Sequence, residues 1–203
     1  MHKKPLFVTG IGTGVGKTVV SAVLCEQMQA DYWKPVQSGD LDQTDSDTVR
    51  SLLSNHQTVI FEETFRFKLA ASPHESARAE NISIRPENFI LPYTDKQLII
   101  EGAGGLLVPL SESLLMIDLI NLFNAEVVLV VKDYLGCINH SLLSIQVLES
   151  HLIPLNHIIF NGDFNPASQE VIIRQLPVGT TWSQLPVIHP LNKINISKAP
   201  LQI

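Results

Sequence analysis

Short apolar runs alternate along this chain with longer segments of helical periodicity. Most of the runs are apolar at consecutive positions, which is typical of strands buried on both faces of a sheet. The runs predict strands at Leu6–Val8, Tyr32–Lys34, Leu98–Glu101, Val127–Val131 and Ile158–Phe160, with Val187–Ile188 as a weaker sixth.

The segments between these runs predict helices at Lys17–Gln29, Asp45–Ser54, Ser72–Ala79, Ile117–Phe123, Cys137–Ser150 and Ala167–Gln175. Strands that alternate with helices favour a parallel sheet covered on both faces. No repeat, low-complexity tract or glycine and serine linker divides the chain. We therefore expect a single α/β domain over residues 1–203, built on a doubly wound, mostly parallel sheet with helices on both faces.

Composition narrows the class of protein. The 203 residues are 45% hydrophobic and 17% charged, which excludes intrinsic disorder. A net charge of −6 without a basic block disfavours nucleic acid and anionic membranes as partners. The first apolar run is too short for a signal peptide, and none approaches the ~18 residues of a membrane helix. We expect a cytoplasmic protein.

A glycine-rich loop joins the first predicted strand to the first predicted helix. Residues 9–18 read TGIGTGVGKT, so backbone N–H groups and a helix N-terminus can surround phosphates. Lys17 would reach the β- and γ-phosphates, and the Thr18 hydroxyl would bind Mg²⁺. The usual spacing G-x-x-x-x-G-K-[ST] requires glycine where Ile11 stands, and the match from Gly10 to Gly16 is one residue longer. This is a variant phosphate loop.

A second lysine follows the next predicted strand, in KPVQSG at residues 34–39. Pro35 favours an extended conformation for Lys34, so its ammonium group has a defined direction. A lysine facing a phosphate loop suits a reaction that generates negative charge. The alternative is a surface lysine in a turn.

Two acidic residues are candidates for the metal site. Glu101 ends a buried strand, where a carboxylate is costly unless it is paired or binds a metal. Helix capping explains the acidic run before residue 48, Asp45 and Ser46 in particular, but Asp47 could point at a metal from one turn inside the helix. A structural ion pair is the alternative for Glu101.

Two further junctions offer weaker signals. Gly136 opens the helix predicted at Cys137–Ser150, and its N–H groups could form an anion site or an ordinary helix start. Cys137 and His140 lack a third orienting group, which disfavours covalent catalysis. Asn161, before Gly162, could read adenine through its amide or form a simple turn.

These motifs occur in the order of a known enzyme family. The series is FVTGIGTGVGKTVVS at 7–21, KPVQSG at 34–39, SD at 46–47, EGAGGLLVPL at 101–110, LGCINHSLL at 135–143 and NG at 161–162. The sequence resembles the dethiobiotin synthetases. The resemblance implies a homodimer of phosphate-loop NTPase-like subunits that carboxylates 7,8-diaminononanoate with CO₂ and closes a ureido ring, while ATP becomes ADP and phosphate.

The resemblance also implies roles for individual residues. Lys34 and Lys17 would be catalytic, and Thr18, Asp47 and Glu101 would bind Mg²⁺. Ser38 would contact the substrate, as would the start of the later helix across the dimer, at Gly136, Cys137, Ile138 and Asn139. The nucleotide would be bound by Thr13, Gly14, Val15, Gly16, Lys17, Thr18, Val19, Asp47, Glu101, Gly102, Ala103, Gly104, Asn161, Gly162, Pro186, Val187 and Ile188.

The chain departs from the family at the phosphate loop. Many relatives carry G-T-D-T-E-V-G-K-T, so Gly12 and Gly14 replace two acidic residues here.

Two other phosphate-loop classes fit less well. Amidotransferase synthetases usually carry a fused glutaminase domain, for which 203 residues leave no room, and partitioning-type ATPases have an extra lysine where Gly12 stands.

Overall fold

The computed structural model describes residues 3–201 and 203. Its strands are β1 (Leu6–Gly10), β2 (Asp31–Trp33), β3 (Val36–Ser38), β4 (Phe65–Phe67), β5 (Leu98–Glu101), β6 (Glu126–Lys132), β7 (Leu155–Asn161) and β8 (Thr181–Leu185). Its α-helices are α1 (Lys17–Met28), α2 (Asp45–Leu52), α3 (Pro73–Ala79), α4 (Met116–Leu122), α5 (Cys137–Ser150), α6 (Pro166–Arg174) and α7 (Lys193–Ser197), with a 3₁₀ turn at Pro86–Asn88.

Six of the strands form one sheet in the order β2-β5-β1-β6-β7-β8, and every neighbouring pair is parallel. The strands β3 and β4 form a separate parallel pair beside it. The predicted parallel sheet with helices on both faces is therefore confirmed. Among the described residues, no helix is long and apolar enough to cross a membrane.

Alternate residues of the central strands fill two hydrophobic cores, one on each face of the sheet. Phe7 of β1 packs with the core that α4, α5 and α6 cover. Its neighbour Val8 packs with the core that α1, α2 and α7 cover. Burial on both faces explains why these strands read as continuous apolar runs.

The prediction of the sixth strand at Val187–Ile188 is wrong. The sixth strand of the sheet is β8, which pairs with β7 and ends at Leu185. β8 lies at the edge of the sheet and has polar or exposed side chains except at Leu185, so it lacks the apolar signature of a central strand. The strands β3 and β4 were not predicted either, because each has a polar residue at its centre, Gln37 and Arg66, and lacks a continuous apolar run.

The sheet brings the predicted functional segments to one edge. β2, β5 and β1 are adjacent and parallel, so their carboxyl ends lie side by side. Lys34 follows β2, Glu101 ends β5, and the phosphate loop follows β1. Ligands of open parallel sheets bind at this edge.

Stability should depend on pH through His157 of β7. This ring is buried, with Nδ1 2.6 Å from Thr181 Oγ1 and Nε2 2.8 Å from Ser183 Oγ, and burial lowers its pKa from 6.5 to about 4. Below pH 6.5 the unfolded chain takes up a proton that the folded chain binds only near pH 4. Folding stability should therefore fall as the pH drops through this window.

The measurement is urea unfolding of the natural chain and of His157→Gln at pH 7.5 and pH 5. We expect the natural chain to lose more stability than the variant on acidification, since glutamine keeps hydrogen-bonding groups but does not titrate. Equal losses would show that His157 does not contribute to the pH dependence.

Candidate functional site

A cavity of about 510 Å³ lies beyond the carboxyl ends of β1, β2 and β5. Its walls come from the phosphate loop, the start of α1, the segment around β3, the first residues of α2 and α3, and the loop after β5. The lining residues are Thr13, Gly14, Gly16, Lys17, Thr18, Val19, Lys34, Val36, Gln37, Ser38, Asp40, Asp45, Ala71, Ser72, Pro73, Glu101, Ala103, Gly104 and Val108.

The phosphate loop depends on glycine at Gly16. This residue has a φ of +95°, and an added Cβ would lie 2.0 Å from the Asn161 amide nitrogen. That amide donates a 2.8 Å hydrogen bond to the Val15 carbonyl, so β7 braces the loop. Gly16 precedes α1 without any side-chain cap, which leaves the first N–H groups of the helix facing the loop. This arrangement suits a phosphate.

Lys17 folds back onto its own loop. Its Nζ donates a 3.1 Å hydrogen bond to the Gly12 carbonyl, and the residue is buried. Burial lowers the pKa of Lys17, and Lys34 lowers it further, while Glu101 and Asp45 act in the opposite direction. An ammonium group has three donor hydrogens, so Lys17 can also donate to an anion in the cavity.

Four side chains form a compact charged cluster at the cavity floor. The Lys34 Nζ lies 2.6 Å from Asp45 Oδ2 and 3.3 Å from Glu101 Oε1. The Thr18 Oγ1 lies 3.0 Å from Asp45 Oδ1 and 2.9 Å from Glu101 Oε1. The cluster thus joins α1, α2, β5 and the residue after β2.

The charges in this cluster stabilise one another. Burial alone would lower the pKa of Lys34, but Glu101 and Asp45 outweigh it and raise that pKa above its usual range. Burial likewise works to raise the pKa of Asp45, but the Lys34 charge and hydrogen bonds from Lys34 and Thr18 bring it below its usual range. Lys34 is therefore held as an ammonium and Asp45 as a carboxylate.

The cluster has fewer hydrogen-bond donors than close contacts between oxygen atoms. Thr18 has one hydroxyl hydrogen, yet its oxygen lies within hydrogen-bonding distance of a carboxylate oxygen of Asp45 and of Glu101. Lone pairs therefore face one another at one of these two contacts. Converging hydroxyl and carboxylate oxygens suit a hard cation such as Mg²⁺.

Helix capping decides which aspartate enters the site. The Asp47 carboxylate accepts hydrogen bonds from the backbone N–H and hydroxyl of Thr44 and pairs with Arg50, which closes a capping box at the start of α2. Asp45 is the first residue of the helix and faces Thr18 instead. Contrary to the prediction from the sequence, the structure does not bring Asp47 to Thr18 and Glu101, and Asp45 lies there instead.

The chain is similar to known proteins over most of its length. A family model described as an AAA domain matches residues 4–195. The chain is 46% identical over 192 residues to the ATP-dependent dethiobiotin synthetase BioD of Cytophaga hutchinsonii, covering 94% of this chain and 91% of that protein. It is 47% identical over 169 residues to the protein of the same name from Christiangramia forsetii, covering 83% and 81%. The chain belongs to the dethiobiotin synthetase family.

A solved structure supports the fold alone. The ParA family ATPase from Chlorobium tepidum superposes with a TM-score of 0.56 and 13% identity, covering 97% of this chain and 96% of that one. The resemblance to dethiobiotin synthetases inferred from the motifs is confirmed by the relatives rather than by this structure.

Of the 22 residues that the family resemblance assigned to the nucleotide and substrate, ten line the cavity, including Ser38, Ala103 and Gly104. The Ser38 hydroxyl is buried without a hydrogen-bond partner among the described residues. The side chain of Val15 is buried outside the cavity. Gly102 packs against Phe7, where a Cβ would lie 2.8 Å from the ring, and does not line the cavity either.

Three predicted segments lie outside this cavity, and one of them is the pair Asn161 and Gly162. Gly136, Cys137 and Ile138 line a separate cavity of about 340 Å³ at the start of α5, and Asn139 is the third residue of that helix. The segment 186–188 lines another of about 230 Å³. The latter adjoins the loop after β7, because Gly162 N–H donates a 2.7 Å hydrogen bond to the Leu185 carbonyl.

The sequence patterns do not mark three residues that lie in or directly beside the cavity wall. In the sequence, helix capping is sufficient to explain Asp45, whereas in the structure the cap is Thr44 before it. Gln37 accepts a 3.3 Å hydrogen bond from the Asp45 backbone and holds the start of α2. Tyr32 donates a 3.0 Å hydrogen bond to Glu101 Oε2, and burial and the Glu101 charge raise its pKa well above the usual range. No local pattern marks Tyr32.

The two aspartates provide a matched test. Asp45→Asn removes one charge beside Lys34 and Thr18, and we expect turnover to fall by about 10²-fold, the effect of losing one well-placed polar group in an active site. Asp47→Asn should leave turnover close to normal and lower the melting temperature, because it weakens only the cap. Steady-state kinetics and thermal unfolding of both variants measure this. A larger loss of turnover in Asp47→Asn would contradict the assignment.

Proposed function

We propose that this chain is an ATP-dependent dethiobiotin synthetase that carboxylates 7,8-diaminononanoate with CO₂ and closes the ureido ring, with ADP and phosphate as the other products. The observation that carries the proposal is the charged cluster beside the phosphate loop, where Lys34 and Thr18 contact the carboxylates of Asp45 and Glu101. Membership of the dethiobiotin synthetase family points to the same reaction.

The reaction needs the carbamate to be activated. One amine adds to CO₂ and releases a proton, which gives a carbamate anion with a poor leaving group. A carbamate oxygen attacks the γ-phosphorus of ATP, the bond to ADP breaks, and a mixed anhydride forms. The second amine then attacks the carbonyl carbon, phosphate leaves, and loss of a proton gives the five-membered urea.

The residues of the site suit phosphoryl transfer, which depends mainly on positioning and charge stabilisation. Lys17 would turn from the Gly12 carbonyl to the β- and γ-phosphates. Lys34, kept protonated by Glu101 and Asp45, would donate to the oxygens shared by the carbamate and the migrating phosphoryl group. The loop N–H groups would bind the remaining phosphate oxygens.

We assign Mg²⁺ to Thr18, Asp45 and Glu101, with Asp45 in place of the predicted Asp47. Within the described part of the chain, no three His, Cys, Asp or Glu side chains form a group able to hold a metal. Mg²⁺ typically uses one or two carboxylates together with phosphates, so the donor set fits it. When bound, the ion neutralises charge on the phosphates.

We further propose a homodimer in which each site uses the partner's α5. Within one chain, the start of α5 lies outside the main cavity. This 14-residue helix begins after Gly136 without a side-chain cap, and only its first N–H group, that of Cys137, donates to the Tyr134 carbonyl, so the next N–H groups of the first turn suit the substrate's distant carboxylate. Leu135 beside it is fully exposed, which suits a contact with a partner.

Because the reaction consumes ATP, we place the enzyme in the cytoplasm.

Phosphate release tests the reaction. We expect the protein to release phosphate from ATP only when the diamine and bicarbonate are both present, because the carbamate is the phosphoryl acceptor. Each component is omitted in turn, and dethiobiotin is quantified by mass spectrometry. A partitioning-type ATPase would release phosphate regardless of both additions, and that result would refute the proposed function.

Mixed dimers test the shared site. Lys34→Ala disables the phosphoryl-transfer end, and Ile138→Pro removes one N–H group at the start of α5. In a heterodimer of the two variants, a shared arrangement puts both lesions in one site and leaves the other site intact. We therefore expect about half of the natural activity to return.

The two variants are co-expressed with different tags, and the purified heterodimer is assayed against each homodimer. If every chain holds a complete site, each site keeps one lesion and no activity returns. An inactive heterodimer would exclude the shared site and would leave the proposed reaction unaffected.

A further inference from the structure

The Tyr32 hydroxyl group lies directly behind the charged cluster, on the side away from the cavity. We propose that Tyr32 is a positioning residue that holds the Glu101 carboxylate in one orientation, with Oε1 facing the bound metal and nucleotide. The inference rests on the proposed function, because a metal–nucleotide complex is what Oε1 would face.

The sheet register brings Tyr32 to Glu101. In the parallel pair of β2 and β5, Tyr32 lies beside Ile99, and Glu101 is two residues further along β5. Side chains two apart share a face of a strand, so Ile99 and Glu101 point the same way. Tyr32 packs with Ile99 in one core, and its ring spans the two-residue step until the hydroxyl lies 3.0 Å from Glu101 Oε2.

The two oxygens of Glu101 have different tasks. Among the described residues, Oε2 accepts a hydrogen bond from Tyr32 alone. Oε1 lies 2.9 Å from the Thr18 hydroxyl oxygen and 3.3 Å from the Lys34 Nζ. The last torsion of a glutamate side chain is soft and roughly two-fold, so a carboxylate without such a bond could turn and exchange its oxygens. Tyr32 opposes that turn.

The choice of a neutral donor matters as well. Tyr32 and Glu101 are 0% and 1% exposed, and a buried carboxylate oxygen without a donor is costly. A second lysine at this position would satisfy Oε2 but would cancel the charge that attracts a cation. A phenol satisfies Oε2 and leaves the carboxylate negative. The neighbouring Trp33 cannot substitute, because its Nε1 donates to the Glu62 carbonyl.

Tyr32→Phe tests this role because it keeps the ring and removes one atom. Mn²⁺ replaces Mg²⁺ as the probe, and its affinity for the full-length protein at saturating ADP is measured by electron paramagnetic resonance. We expect Mn²⁺ to bind about 10- to 100-fold more weakly, as for a lost buried hydrogen bond to a charged group. Calorimetry should show that ADP without metal binds as before.

Thr94→Val is the matched control. The Thr94 hydroxyl donates a 2.6 Å hydrogen bond to Asp31 Oδ2 at the other end of β2, so this variant also removes a hydroxyl from a buried carboxylate. We expect it to lose stability and to keep the Mn²⁺ affinity. An equal loss of Mn²⁺ affinity in both variants would mean that Tyr32 supports the site only by stabilising β2.

A double-mutant cycle adds a second criterion. If Tyr32 acts through Glu101, Tyr32→Phe should cause no further loss of Mn²⁺ affinity once Glu101→Gln is present. An unchanged Mn²⁺ affinity in Tyr32→Phe, an additive double variant, or a Tyr32→Phe chain that does not fold would each overturn the proposal. Failure of the phosphate-release assay by the natural chain would instead refute the proposed reaction, since Mn²⁺ and ADP binding do not require it.

Discussion

The burial of the Glu101 carboxylate is the constraint on which the rest of the site depends. A charge removed from water at the end of a central strand costs several kcal/mol unless it is well paired. Glu101 obtains its partners from three other segments, at Thr18, Tyr32 and Lys34. Satisfying this one carboxylate therefore fixes α1, β2 and the turn after β2 relative to β5.

The same cluster leaves the site ready to bind a phosphorylated ligand. The positive charges of Lys17 and Lys34 balance the negative charges of Asp45 and Glu101, so each charged group is stabilised by its neighbours. Lys17 keeps donor hydrogens beyond its contact with Gly12, and Thr18 has more oxygen neighbours than it has protons. An anion accompanied by a divalent cation would relieve both imbalances together.

The fold and the chemistry are separable in this protein. A ParA family ATPase shares the architecture at 13% identity, so this fold is not specific to dethiobiotin synthetases. The proposed chemistry of this chain depends on two local features, Lys34 after β2 and the start of α5. These two features lie at different cavities of one chain, and the shared-site proposal accounts for the separation.

Local sequence determined the central strands, the long helices, the phosphate loop and the residues at the ends of β2 and β5. Each depends on a short pattern, such as continuous apolar residues, helical periodicity or glycines before a helix. The edge strand β8 was not predicted, because it pairs only with β7 and has polar or exposed side chains except at Leu185. Val187 and Ile188 read as the sixth strand because two apolar residues carry too little information.

Only the tertiary structure decided between Asp45 and Asp47. The two lie in the same helical turn, and their directions depend on a capping box that takes Asp47 and leaves Asp45 facing a residue 27 positions earlier. The tertiary structure also revealed the role of Tyr32. Its partner Glu101 is 69 positions away in sequence and comes close only through the pairing of β2 with β5. Contacts of this kind are set by strand order and register, which no local pattern in the sequence encodes.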